Sequence, residues 1–232
     1  MEFLWKALEN CIDLILSRDR EIYGIVFRSL GFSLSATVLA VLFGVPSGYL
    51  IGSTRFTGRP LVITFLNTTM ALPTVMVGLI GYSLLSRSAP LGFLNLMFSP
   101  GAVILGEFFL SLPIITNLTV AAVESVDPRA ILTSRTLGAG RLQTAWTILM
   151  EARFALVAAI IAGYGRAVSE VGSAMMLGGN IRYHTRTMTT AIALETSRGE
   201  FGEGLALGFF LLLVVLSINI MVHHFQVRGR RR

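Results

Sequence analysis

The sequence predicts an all-α integral membrane protein with about five transmembrane helices, and three observations carry that prediction. Of its 232 residues, 53% are hydrophobic and 14% are charged, where a soluble domain carries roughly 25% charge. The mean hydropathy is +0.72. Three stretches, 29–54, 60–86 and 204–227, contain no Asp, Glu, Lys or Arg, and each exceeds the ~20 residues a helix needs to cross a bilayer.

The first element is amphipathic. Leu4, Leu8, Cys11, Ile12 and Ile15 recur at helical spacing, with Glu9 and Asp13 elsewhere around the wheel. The piece 3–16 is too short to span at about 1.5 Å per residue, so the N-terminal segment 1–21 is expected to carry an interfacial helix. A first span follows from about Ile25 to Ile51 and is expected to stay in the mature protein, being too long for a signal-peptide core. Within it Gly44, Gly48 and Gly52 recur every four residues, which lets another helix backbone come close where lipid supplies no hydrophobic drive for association.

Span two covers about 61–85 and span three about 102–123, the latter with Glu107 inside it. Pro46, Pro73 and Pro113 fall within these three spans and each removes a helix hydrogen bond. For Pro73 and Pro113, a kink lining a path and a kink serving only packing both stand. A fourth apolar unit, 154–177, is interrupted by Arg166 and Glu170 and carries Gly163, Gly165 and Gly172, which predicts a broken or bent helix. Residues 178–204 are polar and rich in threonine, which predicts an extramembrane loop with a short helix around 189–195.

The last span covers about 205–222, and a basic tail, 223–232, follows with Arg228, Arg230, Arg231 and Arg232. Basic residues beside a span end favour the cytoplasm. The C-terminus is therefore expected inside and, after five spans, the N-terminus outside. Under this topology ten Lys and Arg fall inside and nine outside, so orientation rests on the tail and on the loop with Arg129, Arg135 and Arg141.

Several chemistries are excluded. The single lysine, Lys6, leaves no Walker A sequence, and one cysteine, Cys11, leaves no internal disulfide. His184, His223 and His224 give no metal-ligand spacing. Neither Gly-x-Ser-x-Gly nor His-Glu-x-x-His is present. The net charge of +6 sits mostly between apolar runs, which reads as topology and not as nucleic-acid binding. No internal repeat is visible, which counts against a transporter built of inverted repeats.

The loop 126–149 is the most informative stretch. Asp127 is a good helix N-cap and Pro128 suits the first helical position. Gly138 or Gly140 should end that helix in a left-handed conformation, and a second helix leads through Trp146 into span four. Leu137, Leu142 and Trp146 are then available to dock on a partner; on the residues alone the loop is also complete without one.

This loop resembles the signature of the transmembrane subunits of ATP-binding-cassette (ABC) importers. Ser134-Arg135-Thr136-Leu137-Gly138-Ala139-Gly140 and Ile148 match it, while Leu132-Thr133-Ser134 replaces the family's Glu-Ala-Ala and Glu151 replaces its proline. Gly44-x-Pro46-x-Gly48-Tyr49 is similar to the family's first core span. Ala71-Leu72-Pro73-Thr74-Val75 and Arg166-x-x-x-Glu170-x-Gly172 are similar to its molybdate, tungstate and sulfate branch. Met176-Leu177-Gly178-Gly179-Asn180-Ile181 with Thr185-Arg186-Thr187-Met188-Thr189-Thr190 looks most like tungstate importers.

The resemblance implies a type I ABC importer permease in a bacterial or archaeal cell membrane, with 22–222 as its transmembrane domain. It implies a homodimer, two copies of a separate ATPase, and an extracytoplasmic oxyanion-binding protein. Coupling to the ATPase would fall to Asp127, Arg129, Ser134, Arg135, Leu137, Gly138, Ala139, Arg141 and Trp146. ATP and Mg²⁺ would sit on that ATPase, with no cofactor or metal on this chain, whose surroundings are membrane lipid and no nucleic acid. Pro73, Glu107, Arg166 and Glu170 are the candidate path residues. Arg166 and Glu170 are one helical turn apart, and both structural pairing and a direct role beside the anion are open. A permease for sulfate or another small solute, and a proton-coupled secondary transporter using Glu107 or Glu170, are the competing readings.

Overall fold

The structure is a computed structural model and describes residues 2–16 and 20–230; the remaining residues, including Arg231 and Arg232 of the expected basic tail, lie outside the described residues. Eleven α-helices follow one another among the described residues, with no strand: α1 (Glu2–Leu16), α2 (Arg20–Ser53), α3 (Arg59–Met70), α4 (Thr74–Leu85), α5 (Pro100–Glu124), α6 (Pro128–Thr136), α7 (Arg141–Glu151), α8 (Arg153–Val168), α9 (Gly172–Gly178), α10 (Met188–Ser197) and α11 (Phe201–Arg230). Three are long and apolar enough to cross a membrane: α2, α5 and the 201–220 part of α11. Two bent pairs, α3 with α4 and α7 with α8, raise the number to five.

Two compact units divide the chain. Unit one takes residues 1–35, 73–107 and 167–232, and unit two takes 36–72 and 108–166.

Unit one has a core of Cys11, Ile25, Val26, Met188, Ala191, Ala206, Leu207 and Phe210. Helix α1 packs along α11, and the Tyr23 ring meets Phe210 edge-on at 6.0 Å. The amphipathic segment thus turns Cys11 toward protein and leaves Trp5, Ile12 and Leu16 exposed. Helix α4 packs on α9 so closely at Gly78 that a β-carbon there would stand 2.8 Å from that of Met176.

The threonine-rich segment carries the short helix expected of it, α10 (Met188–Ser197), and its threonines are packed inside the fold. Thr185, Thr187, Thr189 and Thr190 are buried, because each hydroxyl finds a bond within the fold. Thr185 donates to the Gly178 carbonyl at 2.6 Å and Thr189 to the Glu170 carbonyl at 2.6 Å. Thr190 accepts from the Thr187 N–H at 2.9 Å, a reciprocal cap that starts α10. The Met188 N–H donates to the Ser29 hydroxyl at 2.6 Å, which ties α10 to α2.

In unit two the glycine series of α2 lies against α5, as its spacing predicts. A β-carbon at Gly48 would fall 2.6 Å from the Thr116 carbonyl oxygen, and one at Gly52 3.0 Å from Val123. Helix α8 approaches α5 at Gly163, whose carbonyl accepts from the Ser111 hydroxyl at 2.9 Å. Helix α3 is tied to α5 by an Arg59 to Glu124 ion pair and by a bond between Asn117 and Asn67.

Three expected spans have altered outlines. Span two is no single helix: Pro73 sits at φ −59°, ψ 131°, lacks an N–H and disfavours helix in the residue before it. Pro46 and Pro113, in contrast, stay inside α2 and α5. The fourth unit is broken, as expected, between Val168 and Gly172, and α7 and α8 bend by 71° at Ala152. The last helix does not stop near Val222 but continues through the first part of the basic tail to Arg230, where no proline interrupts it.

Candidate functional site

The loop after α5 is built as its residues dictate. The Asp127 carboxylate accepts from the Arg129 N–H at 2.8 Å and caps α6, with Pro128 in the first turn. Beyond Thr136 the chain reverses through Gly138 at φ +84°, a conformation that costs other residues roughly 1–2 kcal/mol. The Ala139 N–H closes the turn on the Ser134 carbonyl at 3.1 Å. Gly140 is extended and its N–H donates to the Gln143 side chain at 2.8 Å, opening α7.

The result is an apolar surface that no described residue covers. Leu137 is 82% exposed, Leu142 88% and Trp146 67%, and Arg129, Arg135 and Arg141 are exposed cations of the same loop. Ser134 and Ala139 are half-buried beneath the turn. Large exposed apolar patches rimmed by charge mark binding surfaces.

The intramembrane candidates come from different elements: Pro73 precedes α4, Glu107 lies in α5, Arg166 in α8 and Glu170 in the break before α9. Glu107 in α5 is 2% exposed and Glu170 is 1% exposed. Both belong to a buried polar cluster of unit one with Ser33, whose hydroxyl bonds the Glu107 carboxylate, and Ser173. The second Glu107 oxygen and the Ser173 hydroxyl have no hydrogen-bond partner among the described residues. Glu170 lies in the break after α8, where it accepts the Ser173 N–H at 2.7 Å. Arg166 occupies the last turn of α8, where a cation suits the helix dipole. The one-turn helical spacing expected of Arg166 and Glu170 is therefore absent, because α8 ends at Val168 before Glu170 is reached. Pro73 contributes its carbonyl, which accepts from the N–H groups of Met76 at 3.0 Å and Val77 at 3.3 Å and so starts α4.

One polar hub carried no local signal in the sequence. Glu21, at the start of α2, receives both guanidinium arms of Arg182, one at 2.6 Å, with the Tyr183 hydroxyl at 3.3 Å and Arg186 at 3.7 Å. Arg186 also donates to the Asn180 side chain at 3.2 Å. Asn180 and Tyr183 hold left-handed backbones at φ 49° and 62°, so this turn is pinned to α2. A cavity of about 390 Å³ opens beside it, lined by Asp13, Glu21, Arg186, Glu195 and Glu203 among others.

A family model described as binding-protein-dependent transport system inner membrane component matches residues 44–231. The tungstate uptake system permease protein TupB of Peptoclostridium acidaminophilum is 34% identical, over 97% of this chain and 99% of that one. TupB of Campylobacter jejuni is 37% identical, over 96% and 93% of the two chains. In fold, the MetNI methionine ABC transporter in its inward-facing conformations superposes with a TM-score of 0.68 at 18% identity, over 91% of this chain and 95% of that one.

The expected fold class, that of a type I importer permease, is the one found. With up to five spans and a match over most of its length, the chain belongs to the binding-protein-dependent transport system inner membrane component family, as a multi-pass ABC importer permease subunit that is not itself an enzyme and works with a separate ATPase and a binding protein.

Proposed function

We propose that this chain forms the membrane path for a tetrahedral oxyanion, tungstate or its near-isostere molybdate. The observation that carries the reading is the match to two tungstate permeases over nearly the full length of all three chains. The working unit is a homodimer with its axis along the membrane normal, since isologous pairs are the commonest symmetric assembly and five spans alone enclose no conduit. Two ATPase subunits, which hold the ATP and Mg²⁺, dock on the 127–146 surface, placing that loop and the C-terminus in the cytoplasm and the N-terminus outside. An extracytoplasmic binding protein delivers the ion. Residues 22–222 form the membrane domain, flanked by the interfacial segment and the basic tail.

The decisive assay is metal-oxyanion uptake into proteoliposomes that hold the permease, the ATPase and the binding protein. Uptake is expected to require all three with ATP, and to be competed by molybdate far better than by sulfate. Uptake driven by a proton gradient without the ATPase would overturn the proposal in favour of a secondary transporter.

Arg166 and Glu170 are proposed to stand on this path as a compensating pair. An arginine attracts a doubly charged oxyanion, and a nearby carboxylate offsets that attraction so that the ion is released. Removing Arg166 alone should strand the buried Glu170 at a cost of about 3–5 kcal/mol and lower the amount of folded protein. The double replacement Arg166→Ala with Glu170→Gln should recover protein level without recovering uptake. Wild-type yield and uptake in both single variants would refute the pair.

A further inference from the structure

Asn67 of α3 and Asn117 of α5 meet within unit two. The Asn117 amide nitrogen donates to Asn67 Oδ1 at 2.6 Å and to the Met70 sulfur at 3.4 Å, so both of its hydrogens are engaged. The bond also fixes the Asn67 side chain. Its carbonyl is occupied, while its NH₂ group presents two donors for which the described residues supply no acceptor. Neighbouring hydroxyls have no donor left to offer, since Thr68 donates to the Thr64 carbonyl at 2.8 Å and Thr69 to the Leu66 carbonyl at 2.8 Å.

Depth and cover make these donors informative. The Arg59 to Glu124 ion pair links the same two helices, seven or eight residues away along each, which is about 10–12 Å at the helical rise. That sets the amides about two helical turns from the charged pair along both helices. Asn67 is exposed, and no residue of α3 is buried by the rest of the chain. Open N–H donors are costly against lipid, so this face meets water, a second copy or a ligand made only of acceptors.

A tetrahedral oxyanion is such a ligand, with acceptors at every corner and no donor. Hydrogen bonds to a charged acceptor exceed those between neutral groups, yet an amide adds no countercharge to trap the ion. Arg59, the nearest cation along α3, is held by Glu124 and by the Ile51 carbonyl at 2.9 Å. We infer that Asn67, oriented by Asn117, is a neutral hydrogen-bond station for the tetrahedral oxyanion on its way through the membrane. The inference rests on the oxyanion reading above. Asn67 is the contact residue, and Asn117 positions it.

The test uses the complete reconstituted complex and reads tungstate uptake, binding-protein-stimulated ATP hydrolysis and dimer content together. Asn67→Asp keeps the oxygen that Asn117 needs but replaces both donors with a second acceptor. It is expected to lower uptake at least tenfold while hydrolysis and dimer content stay at wild-type levels. Asn67→Leu removes the donors without adding charge and should show the same loss, whereas Asn67→Gln, which keeps an NH₂ group, should stay within about threefold of wild type on the scale of a single hydrogen bond. Undiminished uptake in Asn67→Asp or Asn67→Leu overturns the inference. So does loss of the dimer in either variant, which would make the amides glue between copies. A wild-type complex that moves no oxyanion overturns the substrate reading itself, whereas a transporting wild type with an equally active Asn67→Leu overturns this inference alone.

Discussion

Replacing Gly48 with leucine is expected to remove nearly all folded protein from the membrane. A first added carbon would already lie 2.6 Å from the Thr116 carbonyl oxygen and 2.6 Å from the Thr119 β-carbon. Backbone atoms cannot rotate aside, so α2 and the second half of α5 would have to separate. Separation forfeits the neighbouring contacts at Gly44 and Gly52 as well, along the seam that holds α2 in unit two. Overpacking costs about 1–3 kcal/mol even in cores that can adjust, and membrane helices have little hydrophobic drive to draw them together again. Gly31 of the same helix is the internal control, because a β-carbon there meets nothing within 4 Å. Thermal stability and yield in detergent should collapse for Gly48→Leu and hold for Gly31→Ala; a Gly48→Leu protein with wild-type values would mean that this seam does not exist.

The second large effect is expected at the docking surface. Leu137→Glu combined with Leu142→Glu should leave the permease folded and abolish its capture of the ATPase. Each leucine is almost fully exposed in the chain, and burying one in a partner contributes about 1.5–3 kcal/mol. The two together are therefore worth about two to four orders of magnitude in affinity, before the cost of burying carboxylates is counted. Gly138→Val separates shape from contact. It meets no atom within 4 Å but must hold φ +84°, a strain of about 1–2 kcal/mol, so it should weaken coupling of hydrolysis to uptake without abolishing capture. Copurification with the ATPase checks both, and undiminished capture by the double glutamate variant would move the docking site elsewhere.

Local chemistry is what the sequence made legible. The Asp127 cap, the left-handed Gly138, the helix-turn-helix around them and the close seam at Gly44, Gly48 and Gly52 each depend on residues within a few positions of one another, and each stands as read. The break at Pro73 was visible as a proline, but not as a full interruption, because Pro46 and Pro113 carry the same ring inside unbroken helices. The short helix of the threonine segment was legible, but the burial of its threonines was not, for a related reason: each hydroxyl finds a backbone partner that composition does not show, Thr189 on Glu170 and Thr185 on Gly178. Helical spacing likewise put Arg166 and Glu170 on one face of a helix that ends between them. The Glu21 hub, whose partners lie about 160 residues away, has no expression in any window of sequence.

That separation also sets an order of construction. Every residue of unit two has been synthesised once the chain reaches Arg166, and its seams join α2 to α5, α3 to α5 and α5 to α8. Unit one is different. Glu21 must wait for Arg182, Ser29 for the Met188 N–H, and the Tyr23 ring for Phe210. Long loops close slowly, and chains of this size gain structure piecewise as they emerge. The first turn of the first long helix therefore spends most of translation with its carboxylate uncommitted, so a chain that stops before residue 182 would leave that end of the helix open to proteases and chaperones.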